Sequence, residues 1–252
     1  MRQLAAAVGV VAAGILVTAC GGSNGGGTSS SSTTTTTTTT SKPPLAQAAL
    51  AGLLLTPADV DSAMSLTGTK SDKTVDALQE DQTTGMFPKG YKFPDECLYI
   101  TGPALAPVYA GSGNTAVHGE HDVAPIPAGS NDPNPDVNQF VVLFPSADQA
   151  NAFFTTSTQK WPACSNRGDN VPGGSDAPDI QWKVGAPSNA NGVLSTTSTV
   201  SLSANGQSIS QSCQRALTVR NNVVIDVEAC QKDPGNIAVN VANQIAGKVD
   251  KQ

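Results

Sequence analysis

The amino-acid sequence predicts an α+β fold, in which helices and an antiparallel sheet occupy separate stretches of the chain. Long runs of alternating polar and apolar residues fill Val193–Cys230, as expected for strands. Asn205-Gly206 and Asn221-Asn222 interrupt these runs, and both dipeptides tolerate the positive φ of a hairpin turn. Helix start signals lie elsewhere, so helices and strands do not alternate strictly, and an α+β fold is favoured over a parallel α/β one.

Three segments carry the signals of helices. Thr56–Asp59 supplies a cap, a first-turn proline and an acidic residue, which predicts a short helix to about Leu66. Ser146–Trp161 begins with a capping box and stops before a proline, which predicts an amphipathic helix. Near the C-terminal end, Asp233-Pro234 predicts a helix start, and apolar residues recur every four positions from Ile237.

Two shorter segments have the composition of strands. Val137–Phe144 is rich in β-branched and aromatic residues and runs directly into the second predicted helix, as one strand-to-helix unit. Ile180–Val184 is a second short strand. The folded part of the chain is expected to begin near Leu53, shortly before the first helix start.

The first twenty residues predict export. Arg2 precedes an apolar run, Leu4–Val17, that is too short to span a bilayer comfortably, so residues 1–19 are predicted to be a signal peptide. Val17-Thr18-Ala19-Cys20 resembles a bacterial lipobox, which makes Cys20 the predicted lipidation site and first mature residue. The alternative is an ordinary signal peptide cleaved near Ala19. The predicted location is therefore the cell membrane, lipid-anchored and facing outside the cytoplasm.

A tether is predicted to follow the lipid anchor. Gly21–Pro44 is built mainly from Gly, Ser and Thr, includes an unbroken Thr33–Thr40 run, and lacks the apolar residues that a core requires. A coil of this length spans about 25–30 Å. The predicted organisation is signal peptide 1–19, anchor and linker 20–44, and one domain over 45–252.

Composition limits the classes of partner and cofactor. The net charge is −6 and the basic residues are scattered singly, which argues against nucleic acid as a partner. The sequence contains no P-loop, dinucleotide fingerprint or HExxH zinc motif, and no cofactor is predicted. Nothing in the sequence names a protein partner.

The five cysteines predict two disulfides. Assigning Cys20 to lipid leaves Cys97, Cys164, Cys213 and Cys230, an even set that allows three connectivities in an exported chain. None of these residues lies in a CxxC pair, so the spacing does not support a zinc or thioredoxin-like site.

One hairpin register selects among these connectivities. A two-residue turn at Asn221-Asn222 places Cys213 opposite Cys230, at a non-hydrogen-bonded position with Cα atoms about 4.5 Å apart. Cys97 is then left to bond Cys164. The same register places Arg215 opposite Glu228, a cross-strand pair of opposite charge. It also gathers four apolar residues on the face expected to pack on the core: Val223, Ile225, Val227 and Ala229.

Four motifs suggest chemistry but have simpler structural interpretations. Gly21–Gly25 matches Gly-x-Ser-x-Gly but lies in the tether, without the strand and helix of a hydrolase elbow. His118–Asp122 contains both histidines of the chain; it looks extended, so the two rings point to opposite faces and a solvated loop or edge strand is favoured. Arg167-Gly168-Asp169 is interpreted as a polar turn rather than an adhesion motif. Asp226 and Glu228 do not qualify as an acid–base pair on sequence alone.

Several segments together share their pattern with a known family. They are Leu55–Asp61, Val142–Ala147, Trp161–Cys164 and, most specifically, Cys213–Cys230. These segments resemble the PknH-like extracellular sensor domain, and the resemblance covers about Leu50 to Val249. It implies a twisted antiparallel sheet with flanking helices, two disulfides and an open cleft for an unidentified ligand. It carries over no catalytic residues, and this chain shows neither the kinase domain nor the transmembrane helix of the family's kinase member.

These observations predict a membrane-anchored lipoprotein whose sensor-type domain binds an unidentified small molecule or envelope component, and not an enzyme. The alternative is a protein-interaction module that modulates an envelope partner or a related kinase, and an envelope hydrolase comes third. An apolar cleft of ~300 Å³ or more would favour the small-molecule function, and a flat exposed apolar patch the interaction function.

Overall fold

The computed structural model describes residues 42–80, 87–88, 90–126, 128–130, 132–174 and 177–252. Within these ranges the strands are β1 (Lys70–Val75), β2 (Ala116–Val123), β3 (Asp136–Leu143), β4 (Gly168–Val171), β5 (Asp179–Val184), β6 (Ser188–Ala190), β7 (Val193–Ala204), β8 (Gln207–Arg220) and β9 (Val223–Gln231). The α-helices are α1 (Pro57–Met64), α2 (Ala106–Tyr109), α3 (Ala147–Lys160) and α4 (Ile237–Val249). Short 3-10 helices cover Gln47–Leu53, Asp95–Cys97 and Trp161–Cys164.

All nine described strands belong to one antiparallel sheet. The strand order is β1-β2-β3-β9-β8-β7-β5-β4, and β6 pairs with β7 beside this path. The predicted α+β class, with an antiparallel sheet and flanking helices, is confirmed. No helix of the described residues is long and apolar enough to cross a membrane.

Helices cover both faces of the central strands. On one face α1, α4 and the first 3-10 helix pack against the four β9 residues predicted to face the core, all of which are 0% exposed. On the other face α3 and residues 95–109 cover Phe140, Leu217 and Val224. Because β9 is central in the sheet and covered on both faces, Val224 and the carboxylate of Asp226 are also buried, on the face opposite the predicted core residues, whereas one-sided packing was expected.

The helix starts follow the sequence signals at two of three places. Thr56 and Asp59 form a reciprocal capping box, and the side chain of Ser146 accepts a hydrogen bond from the N–H of Gln149. The first helix ends two residues before the predicted Leu66, because Ser65 takes a left-handed conformation at φ 57°.

The C-terminal helix begins later than predicted. Its first residue is Ile237 rather than one of the Asp233-Pro234 pair. The carboxylate of Asp233 instead accepts the N–H of Gly235 at 3.3 Å, within a turn that precedes the helix.

The hairpin register agrees with the prediction. Arg220 faces Val223 across the Asn221-Asn222 turn, and Cys213 faces Cys230 and forms a disulfide with it, the two Cα atoms lying 4.0 Å apart. The second disulfide joins Cys97 to Cys164, with Cα atoms 4.8 Å apart.

The described chain enters the domain beside this hairpin turn. The side-chain N–H of Asn221 donates to the carbonyl of Pro43 at 2.7 Å, and Asn222 exchanges hydrogen bonds with the backbone of Leu45. Lys42 donates to the carbonyl of Asp250 at the end of α4. Within the described residues, contacts with the domain are present from Lys42 onward, inside the predicted linker.

Candidate ligand-binding cleft

Four aromatic rings cluster at the edge of the sheet beside β5. Phe87 stacks on Tyr91 with ring centroids 4.8 Å apart, and Phe93 meets Tyr91 and Trp182 edge-on at 5.5 and 5.2 Å. The indole N–H of Trp182 donates to the Tyr91 hydroxyl at 2.6 Å. Burial is the main reason that the pKa of Tyr91 is raised, so this hydroxyl stays protonated at neutral pH.

An open cleft of about 450 Å³ lies between this cluster and residues 95–109, which we call the cover segment. The apolar part of its lining consists of Tyr91, Phe93, Leu98, Leu105 and Pro107. The polar part consists of Glu80, Lys92, Asp95 and Thr101. Mostly apolar walls with a few polar groups are typical of small-molecule sites, and the volume exceeds the ~300 Å³ expected for one.

The charged groups of the cleft are exposed. In the part of the chain that the structure describes, Glu80, Lys92 and Asp95 form no ion pair and their side chains form no hydrogen bond. Within the described residues, no other group competes with a ligand for their polar atoms.

Two covalent or ionic links hold the cover segment at its start. Cys97 is disulfide-bonded to Cys164, directly after α3, and the adjacent Glu96 accepts a hydrogen bond from Arg167 at 2.7 Å. The start of the cover segment is therefore fixed to the chain between α3 and β4.

A buried ionic network on β8 and β9 also holds the cover segment. Arg215 donates from Nε and Nη2 to Asp226 at 2.8–3.0 Å. The Asp226 carboxylate also accepts the N–H of Ala104 at 2.9 Å and the hydroxyl of Tyr109 at 3.0 Å. A further Arg215 nitrogen donates to the carbonyl of Tyr99 at 3.0 Å. Two strands of the sheet thus bind three backbone or side-chain groups of the cover segment.

The expected pairing of Arg215 with Glu228 is wrong at the side-chain level. The two residues are opposite each other in the register, but the guanidinium pairs with Asp226, which is fully buried. Asp226 also collects donors from the cover segment, so its charge is the better compensated of the two. Loss of solvation raises the pKa of Glu228 to about 7.

Gln79 joins the other wall of the cleft to the cover segment. Its N–H donates to Ala104 at 2.8 Å, its carbonyl accepts the N–H of Ala106 at 2.7 Å, and its side chain donates to Pro103 at 2.8 Å. Glu80, the next residue, is held at the rim of the cleft by these contacts.

The two histidines lie outside the cleft, on β2. His118 pairs with Asp76 at 2.7 Å and His121 with Asp72 at 3.1 Å, so each ring contacts a different carboxylate near β1. The His118–Asp122 segment is therefore an inner strand, paired on both sides, and not an edge strand or loop. Among the described residues no group of His, Cys, Asp and Glu could hold a metal ion.

A second buried carboxylate lies on the opposite face of the sheet. Asp122 is fully buried and accepts a hydrogen bond from Gln139 at 2.6 Å, while its other oxygen has no partner among the described atoms. Loss of solvation raises the pKa of Asp122 to about 6. Gln139 also bonds both the N–H and the carbonyl of Leu55.

The remaining predicted sites lie either outside the described residues or on the domain surface near β4. Cys20 and the Gly21–Gly25 motif lie outside the described residues. Arg167-Gly168-Asp169 does not form the predicted turn, because β4 begins at Gly168 and pairs with β5. Arg167 bonds Glu96, and Asp169 accepts the Tyr91 hydroxyl at 3.4 Å, so both side chains are bound within the domain.

Comparison with known proteins identifies the family to which this fold belongs. The model of the PknH-like extracellular domain matches residues 45–248, and the chain belongs to this family, as the sequence resemblance indicated. The serine/threonine-protein kinase PknH of Mycobacterium bovis is 32% identical over 209 residues, which is 83% of this chain and 32% of the kinase. PknH of Mycobacterium tuberculosis (strain H37Rv) is also 32% identical over 209 residues, 83% of this chain and 30% of the kinase.

The chain thus spans about a third of the length of these kinases. The crystal structure of the extracellular domain of PknH from Mycobacterium tuberculosis matches with a TM-score of 0.67 and 29% identity. The match covers 83% of this chain and 99% of that structure. The similarity is to the extracellular domain of the kinase.

The residues that line the cleft were not predicted as a binding site from the sequence. The chain has six Phe, three Tyr and two Trp, and Phe87, Tyr91, Phe93 and Tyr99 lie close together in sequence. In a chain with 4% aromatic residues this concentration is the signal that could have indicated a site. Its neighbour Trp182 comes from a distant strand, so only the fold reveals the whole cluster.

Proposed function

We propose that this chain is a binding lipoprotein of the cell envelope, whose domain takes a small envelope molecule into the aromatic-lined cleft. The observation that carries this proposal is the cleft itself: about 450 Å³, with apolar walls and three charged side chains unpaired within the described structure. Membership of an extracellular-domain family and two disulfides both support a location outside the cytoplasm.

The described chain enters the domain at one end of β8 and β9. The tether proposed for residues 20–44 meets the domain at the β8–β9 turn. Trp182 pairs with Val200 on β7, which pairs with Gln211 on β8. Gln211 lies about nine residues along β8 from the Asn221-Asn222 turn, a distance of about 30 Å. The aromatic cluster therefore lies far along the sheet from the point at which the described chain enters the domain.

We propose binding rather than catalysis as the role of the cleft. The family match is to the extracellular domain of a kinase and not to its catalytic domain. Both histidines lie on β2 and all four described cysteines are in disulfides, so no Ser–His or Cys–His pair lies among the described cleft residues.

The alternative, a protein-interaction module, has a weaker basis. Ile126 and Ile209, each 44% exposed, are the large apolar side chains on the described surface. Single exposed apolar residues are normal, and a docking surface needs a contiguous patch.

Two experiments test the proposal. The full chain, purified in detergent from its native envelope, is expected to carry a small molecule detectable by native mass spectrometry. Leu98→Trp, which fills the cleft, should lose this molecule, and the matched surface variant Ile126→Trp should keep it. Retention of the same molecule by Leu98→Trp would contradict the assignment of the cleft.

The lipid anchor has its own test. Cys20→Ala should release the protein from membranes or leave an unprocessed precursor, because two acyl chains are needed for stable anchoring. A correctly cleaved Cys20→Ala chain that stays on the membrane would overturn this part of the proposal.

A further inference from the structure

The apolar and polar groups of the cleft are arranged in two zones. Tyr91, Phe93, Leu98 and Leu105 are buried or half-buried and supply apolar surface. Glu80, Lys92 and Asp95 are exposed around it. A ligand must therefore present an apolar patch inward and polar groups toward the rim.

Each carboxylate at the rim can only accept hydrogen bonds, whereas the ammonium of Lys92 can only donate them. None of the three side chains is paired within the described structure. Glu80 and Asp95 together provide four acceptor oxygens, and Lys92 provides three N–H donors. Hydrogen bonds to charged groups are the stronger ones, so a ligand rich in hydroxyl groups gains most from this rim.

Other ligand classes fit less well. Among the described lining residues an anion would meet two carboxylates against one ammonium, on a chain whose net charge is −6. A cation would be attracted by Glu80 and Asp95 but repelled by the ammonium of Lys92. A wholly apolar ligand would remove water from three charged side chains without replacing their hydrogen bonds.

We propose that the cleft binds a neutral saccharide, with a C–H face of the sugar against Tyr91 and Phe93 and its hydroxyl groups on Glu80, Asp95 and Lys92. This inference rests on the proposed function and adds the chemical class of the ligand. The electron-rich face of an aromatic ring attracts the polarised C–H groups of a sugar. The cleft volume of about 450 Å³ suits a ligand at the small end of the usual range.

The test uses the full chain in detergent and five probes: glucose, trehalose, N-acetylglucosamine, tetramethylammonium and inorganic phosphate. Saturation-transfer NMR and titration calorimetry measure binding. At least one sugar is expected to bind with its C–H protons against the protein, and more tightly than tetramethylammonium or phosphate. Glu80→Gln and Asp95→Asn should each weaken sugar binding by about tenfold, the equivalent of one lost charged hydrogen bond. Asp233→Asn, an exposed carboxylate on the loop before α4, is the matched control and should bind as the unchanged chain does.

Three outcomes would overturn the inference: no sugar binds, tetramethylammonium or phosphate binds more tightly than any sugar, or the Glu80 and Asp95 variants bind sugar as the control does. If no sugar binds but Leu98→Trp still removes a native small molecule, the saccharide inference fails and the proposed function stands. If Leu98→Trp leaves the native molecule bound, the proposed function fails as well.

Discussion

Arg215 and Asp226 form an ion pair that is withdrawn from solvent, with side chains 3% and 0% exposed and donor–acceptor distances of 2.8–3.0 Å. The pair belongs to β8 and β9, but the other groups that it binds belong to the cover segment of the cleft. The ion pair therefore helps to position one wall of the proposed binding site.

We expect Asp226→Asn to destabilise the domain by about 3–5 kcal/mol, because the variant leaves a buried guanidinium without its counter-charge. Urea unfolding measures the loss. Arg215→Met with Asp226→Leu, which removes both charges, should be less damaging than Asp226→Asn alone. Equal losses in the two variants would show that packing, and not charge, holds this site.

Asp122 is expected to make the domain less stable as the pH rises. Its pKa, raised from 3.8 to about 6, means that the folded state holds a proton which the unfolded state releases. The contribution is fully present below about pH 4 and is lost as the pH passes 6, and is worth roughly 2–3 kcal/mol. Glu228, with a pKa of about 7, acts in the same direction over pH 4.5–7.

Asp122→Asn tests this expectation, because an amide keeps an acceptor for Gln139 without a titratable group. The variant should equal or exceed the unchanged chain in stability at pH 8, and its urea midpoint should fall less between pH 5 and pH 8. The same pH slope in both proteins would rule out Asp122 as the cause.

The strand β1 is expected to be held more tightly at acidic pH. Hydrogen bonding to Asp136 and then to Asp72 raises the pKa of His121, and Lys73 lies opposite it on β1. A raised histidine pKa stabilises the folded state below pH 6.5, and this contribution is lost as the pH rises through the folded-state pKa. Hydrogen exchange of residues 70–75, corrected for the intrinsic rate, should therefore show weaker protection at pH 8 than at pH 6.

His121→Asn is the control for this change. It cannot titrate, so the difference in protection of β1 between pH 6 and pH 8 should shrink. A difference of unchanged size would show that His121 is not its cause.

The sequence was sufficient for features set by neighbouring residues or by one hairpin. The Thr56 and Ser146 caps and the Cys213–Cys230 register depend on contacts within a short stretch of chain, and all three are found. The register correctly placed Glu228 opposite Arg215, but the guanidinium bonds Asp226, which lies on the same face of β9 and accepts further hydrogen bonds from the cover segment. The cover segment is residues 95–109, and no local sequence pattern predicts where this segment packs.

The cleft was missed for a related physical reason. Phe93 precedes the cover segment and Trp182 lies on β5, so the two rings are far apart in sequence and only the fold brings them together. The concentration of aromatic residues near Tyr91 was readable, but its second wall depends on the Cys97–Cys164 disulfide and on Gln79.

The start of the folded chain gives a prediction for truncation. A chain beginning at Lys42 should unfold at the same temperature as one beginning at Gly21, since the Gly, Ser and Thr composition of residues 21–41 lacks the apolar residues that a core requires. A chain beginning at Ala46 should melt several degrees lower, because Asn222 loses both hydrogen bonds to Leu45. Thermal melts followed by circular dichroism decide this, and equal melting temperatures for the two chains would show that these contacts contribute nothing.

The two disulfides are expected to differ in their effects. They close loops with sequence separations of 67 for Cys97–Cys164 and 17 for Cys213–Cys230. The chain-entropy estimate for these loops is about 4.4 and about 3 kcal/mol. Urea unfolding of the paired Cys→Ser variants should thus show the larger loss for Cys97 and Cys164.

The two paired Cys→Ser variants should differ even more in ligand binding than in stability. Cys213 and Cys230 remain held by the β8–β9 ladder when their disulfide is removed, whereas Cys97 fixes the start of the cover segment. Hydrogen exchange of residues 95–109 should rise strongly when Cys97 and Cys164 are replaced, and retention of the native small molecule should fall. If replacing Cys213 and Cys230 loosens residues 95–109 to the same extent, the Cys97–Cys164 disulfide has no special part in forming the cleft.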